Sequence, residues 1–91
     1  MKNQVTKFVR GIRKELEEAC YLMIFPNDNG YDIEVEANGG TIAGVFATDS
    51  HNLKNARKVA DLIDKELTNA GVWVHYTRQS WENYLVHGES D

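Results

Sequence analysis

The sequence predicts an α+β fold. One small domain, in the order α-β-β-α-β, places two antiparallel helices on one face of a three-stranded, mainly antiparallel sheet. Three observations carry that expectation. Tyr31-Asp32-Ile33-Glu34-Val35-Glu36-Ala37 alternates apolar and acidic residues with the period of a strand whose two faces see different surroundings. Asn38-Gly39-Gly40 follows with residues that tolerate positive φ, and Thr41 to Ala47 returns as a second strand. Segments of helical spacing stand before and after this hairpin.

The first of these covers residues 4–24. Val5, Phe8, Val9, Ile12, Leu16, Ala19, Cys20 and Met23 fall on one stripe of a helical wheel. Leu22, Ile24 and Phe25 lie off it, so the last turn loosens or becomes a short strand. Pro26 ends the segment, and Pro26-Asn27-Asp28-Asn29-Gly30 has the composition of a turn.

In the hairpin, a two-residue turn puts Tyr31, Ile33 and Val35 on the core face with Ile42, Gly44 and Phe46. A three-residue loop without a compensating bulge puts Ala43 and Val45 inside and exposes Phe46. The first arrangement buries the larger side chains and is the expectation. Asp32, Glu34 and Glu36 then project into water from the uncovered face.

Thr48-Asp49-Ser50 offers N-caps for a second helix over about 50–69. Its stripe is Leu53, Ala56, Val59, Ala60, Ile63, Leu67 and Ala70, and Gly71 stands where a helix ends. Val72-Trp73-Val74-His75-Tyr76 has strand composition. Beyond Thr77, Ser80 caps a short turn that gathers Trp81, Tyr84 and Leu85, and residues from His87 fray. The chain reads as one domain, 1–91, with a core over about 4–77 and a tail, 78–91, that docks or frays.

At 91 residues, 42% hydrophobic and 26% charged, the composition is that of a soluble globular protein. No apolar run approaches membrane-spanning length, and the N-terminus lacks a signal-peptide core. A cytoplasmic protein without membrane contact is the expectation. Cys20 is the only cysteine, which excludes an internal disulfide and a multi-cysteine metal site.

The net charge of −4 argues against a sequence-independent binder of phosphate backbones. Both helices nevertheless open with basic residues: Lys7, Arg10, Arg13 and Lys14 in the first, Lys54, Arg57 and Lys58 in the second. Acidic residues follow in each, against the helix dipole. Antiparallel packing would set the basic half of each helix beside the acidic half of the other. The alternative is a basic patch for nucleic acid, built from Lys7, Arg10, Lys14, Lys54, Arg57 and Lys58.

The leading functional expectation is a small protein-binding regulator or inhibitor without cofactor or metal. Its surface would be Asp32, Glu34 and Glu36 with Trp73 and His75, extended by Trp81 and Tyr84. If Val72, Val74 and Tyr76 point to the core, Trp73 and His75 emerge near the three acids. The partner expected is another protein, and a homodimer through the C-terminal aromatics is a variant of this. An enzyme is a third class. Cys20, His51 and His75 would form a nucleophile–base pair only if the fold joined them. No phosphate loop, paired-histidine motif or nucleophile elbow is present. Asn27-Asp28-Asn29-Gly30 lacks the further ligands of a calcium hand.

Two short likenesses accompany these readings. Leu53-Lys54-Asn55-Ala56-Arg57, just after a hairpin, resembles the basic helix start of double-stranded-RNA-binding domains, which implies lysines on phosphates. Those domains also carry a strand between the first helix and the hairpin, and the reading here has none before Tyr31. Glu15-Leu16 leading to Phe25-Pro26-Asn27-Asp28, then a hairpin and a second helix, resembles the small DinI family of RecA modulators. That likeness implies an α-β-β-α core and binding to a recombinase filament. The mixed charge of the second helix and the strand near Val72 depart from its pattern.

Overall fold

The apolar run from Ala19 to Phe25 is a strand and not the end of the first helix. In the computed structural model, which describes residues 2–48 and 51–76, helix α1 spans Lys2–Ile12 and passes through a 3₁₀ turn, Arg13–Glu15. Strand β1 then spans Ala19–Asn27, β2 Gly30–Ala37 and β3 Ile42–Thr48. Helix α2 spans Leu53–Asn69 and strand β4 Trp73–Tyr76. An unbroken apolar run bounded by Glu17-Glu18 and Pro26 suits an interior strand. Its alternation is plain in the burial, with Cys20, Leu22 and Ile24 inside. The helical stripe through Leu16, Ala19, Cys20 and Met23 was a coincidence of spacing in a segment apolar on both faces.

The described residues form a small α+β domain with two helices and a mixed four-stranded sheet in the order β3-β2-β1-β4. The expected three-stranded sheet is corrected by β1, which pairs antiparallel with β2 and parallel with β4. The final strand therefore joins neither strand of the expected hairpin. The strand missing before Tyr31 is also supplied.

One added strand reverses the second helix. Contacts advance together along both helices: Thr6 Oγ1 donates to Glu66 Oε1 at 3.0 Å, and Arg13 donates to the Ala70 carbonyl at 2.9 Å. The helices are thus parallel, which corrects the antiparallel expectation. Charge complementarity survives through stagger. α1, with Lys7 and Arg10, lies beside the C-terminal half of α2, which carries Asp61, Asp64 and Glu66. Arg13 meets the carbonyl end of α2, where the dipole favours a cation.

Both helices cover one sheet face. Val5, Val9 and Ile12 of α1 and Ala56, Val59, Ala60, Ile63 and Leu67 of α2 meet Leu22, Ile24, Ile33 and Val35 in a single core. At β3 the approach is close. A Cβ on Gly44 would stand 2.6 Å from Ile12 Cγ2, and Phe8 packs edge-on against Phe46 with ring centroids 5.3 Å apart.

The hairpin between β2 and β3 takes neither expected form. The Ala37 amide donates to the Thr41 carbonyl at 2.7 Å, closing a three-residue loop in which Gly39 and Gly40 have φ of 111° and 95°. A bulge opposite Val35 and Glu36 compensates. Gly44 and Phe46 return to the core face as expected, but Ile42 pairs with Glu36 on the other face and is 54% exposed.

Asn52, not Thr48 to Ser50, caps α2: its side chain accepts from the Lys54 amide at 2.9 Å. The helix ends as expected at Gly71, φ 90°. Bonds from Val72 N–H to Leu67 O and from Gly71 N–H to Thr68 O, each 3.0 Å, complete that end. Trp81, Tyr84 and Leu85 lie outside the described residues.

Candidate functional site

The face away from the helices is built by alternation. In β2, Ile33 and Val35 turn inward, so Asp32, Glu34 and Glu36 turn outward. Register sets Phe25, Met23 and Tyr21 of β1 beside these acids on one side. On the other stand Ala47, Val45 and Ile42 of β3. In β4, Val74 and Tyr76 pack on the core, which leaves Trp73 and His75 outward. A stripe of three carboxylates therefore runs between two apolar rows.

Trp73 and His75 share the face with the acids, as expected, but do not adjoin them. β1 intervenes, and Tyr21 is the link, opposite Glu36 on one side and His75 on the other. The His75 ring stacks between Tyr21, 4.9 Å away, and Trp73, 5.1 Å away. The sequence reading missed Tyr21 and Met23 because it carried the helix through them, left Phe25 in a last turn that loosens or becomes a short strand, and missed Ile42 because it placed it in the core. The signal for the first three was the alternation with Cys20, Leu22 and Ile24.

Four large hydrophobic residues are exposed among the described residues: Tyr21 at 43%, Ile42 at 54%, Val45 at 46% and Trp73 at 70%. All four belong to this face. No strand among the described residues contains a lysine or arginine, so within the described sheet the carboxylates have only one another and neutral neighbours. Glu34 shows the consequence. Partial burial, then the nearby Glu36 and Asp32 charges, raise its pKa above the ordinary glutamate value. Asp32 is held at one end by the Asn27 side-chain amide, which donates to it at 2.6 Å. Beside Ile42, Glu15 and Glu17 border a shallow cleft of about 270 Å³.

The basic residues are divided. Lys7, Arg10 and Lys14 are exposed on or just after α1, as are Lys54 and Lys58 on α2, and Arg57 is half-buried. Thr6 sits beside Glu66, so Lys54 to Lys58 lie roughly 12–18 Å further along α2 toward its N-terminus. The two basic starts are not side by side.

Cys20 and His75 are not assembled into a dyad, and His51 is exposed ahead of α2. Cys20 faces the helices and is fully buried, whereas His75 projects from the opposite face. Burial, then the Asp64 charge, push the Cys20 thiol up to about 11, the opposite of nucleophile activation. Among the described residues, no cluster of three or more histidine, cysteine or acidic side chains is placed to hold a metal ion. No helix among them is long and apolar enough to cross a membrane. Comparison with protein families, with curated proteins and with solved structures returned no significant match for this chain.

Proposed function

We propose that this protein is a non-catalytic intracellular binding module, a small regulator or inhibitor that covers a surface of another protein with its open sheet face. The observation that carries this reading is the segregation of exposed apolar area. Tyr21, Ile42, Val45 and Trp73 all lie on the face that the helices leave bare. Burying apolar surface contributes about 25 cal/mol per Å², and an aromatic anchor such as Trp73 concentrates that gain. The carboxylate row between the apolar rows sets the charge and the alignment of the partner.

The test is co-purification from the native cell with wild-type protein and with a Tyr21→Ala, Trp73→Ala double variant. Loss of a stoichiometric partner is expected, with unfolding stability kept within about 1 kcal/mol because both side chains are substantially exposed. A variant that folds and still retains the partner removes the reading.

A further inference from the structure

We propose that the partner of the open face is a cationic amphipathic helix, laid along β2 with its basic residues on Asp32, Glu34 and Glu36 and its apolar residues on the flanking rows. The inference rests on the binding reading above and names the chemistry of what is bound.

Dimensions support a helix. Alternate residues of a strand are about 6.8 Å apart, so the three carboxylates repeat at nearly the spacing of helix positions i, i+4 and i+8, about 6 Å. The rows on β1 and β3 stand two strand spacings apart, roughly 10 Å, close to the width of one helix. A sheet face also presents only side chains. Whatever lies on it must satisfy its own backbone, which a helix does and a lone extended segment does not.

Charge selects among occupants. Two copies joined face to face would oppose two triads of carboxylates, with no lysine or arginine in any of the described strands to separate them. A head-to-tail copy could offer the outer side of α1, with Lys7 and Arg10, but its exposed residues there are polar or glycine and leave Ile42, Val45 and Trp73 uncovered. Nucleic acid and anionic membrane bring phosphates toward carboxylates. A lysine- or arginine-bearing helix offsets the mutual repulsion of the three carboxylates, which adds to partial burial in raising the Glu34 pKa, and buries both apolar rows.

The test titrates labelled full-length protein with synthetic helical peptides, followed by amide NMR shifts. One peptide carries lysine at i, i+4 and i+8 with flanking leucines, a second replaces those lysines with glutamine, and a third with glutamate. The expected result is saturable binding of the lysine peptide, with shifts at Tyr21, Glu34, Val45 and Trp73. Affinity should exceed that of the glutamine peptide at least tenfold and fall with added salt. A Glu34→Lys, Glu36→Lys variant should lose at least tenfold. Glu34→Gln with Glu36→Gln, a milder change for the fold, should lose several-fold.

Equal binding of the lysine and glutamine peptides, or binding indifferent to both variants, overturns the cationic helix while leaving a binding face. So does a co-purified partner that needs Tyr21 and Trp73 but is insensitive to the charge variants. Shifts on this face produced by RNA, by anionic vesicles or by self-association in sedimentation also overturn it. No shift on the open face with any peptide overturns the inference, and a partner that the folded Tyr21→Ala, Trp73→Ala variant still retains removes the function as well.

Discussion

Gly44 shows how one missing methyl group sets the distance between α1 and the sheet. An alanine Cβ there would stand 2.6 Å from Ile12 Cγ2 and 3.1 Å from the Phe8 ring. α1 must shift or Ile12 must leave its rotamer. Gly44→Ala is expected to cost about 1–3 kcal/mol, the scale of overpacking, read from denaturant unfolding. A neutral or stabilising effect would show that α1 has slack against β3. Glu34 gives the second prediction at this scale. Its folded-state pKa is raised by partial burial and by Glu36 and Asp32, so its ionisation is less favourable folded than unfolded. That penalty is present at neutral pH and is relieved as pH falls through the raised value toward the ordinary one. Glu34→Gln should therefore stabilise at neutral pH by about 0.5 kcal/mol, the scale of exposed charge pairs, with the gain shrinking on acidification. Unfolding midpoints measured across that range check the sign, and a variant less stable at neutral pH would contradict it.

At the scale of elements, the ends of α2 were legible in kind and its start was not legible in position. Three candidate caps stood before the helix, yet Asn52 does the work through its bond to the Lys54 amide. Asn52→Ala should cost roughly 1 kcal/mol in thermal or chemical unfolding, while Thr48→Ala should act only through its bond to the Tyr31 carbonyl. An Asn52→Ala protein as stable as wild type would place the cap elsewhere. β1 is the element that sequence reasoning misread. A run that is apolar on both faces carries the helical period and the strand period at once. Length and bounding residues favour the strand, and the parallel partner β4 makes the segment interior over Ala19 to Leu22. The bulge near Glu36 is a similar case. Loop length alone left two registers, and a three-residue loop with a compensating extra residue kept Phe46 inside while releasing Ile42.

At the scale of the molecule, the chain separates its charges. Among the described residues the strands hold no lysine or arginine, the helices hold the basic residues outside the 3₁₀ turn, and the open face is a carboxylate stripe between apolar rows. The amino-acid sequence by itself determined the α+β class, the amphipathic stripe of α2, the glycine that ends it and the outward direction of Asp32, Glu34 and Glu36. Those features are local: a period of two or of 3.6, or a residue that tolerates an unusual φ, reports on its own segment. Only the tertiary structure decided that β1 exists, that the helices run parallel, that β4 docks beside β1 and that Tyr21 joins Trp73 and His75 to the acidic stripe. Each of these depends on which strand lies next to which. Adjacency is chosen by burial of the whole apolar surface against the cost of ordering the chain, a balance that no single segment contains.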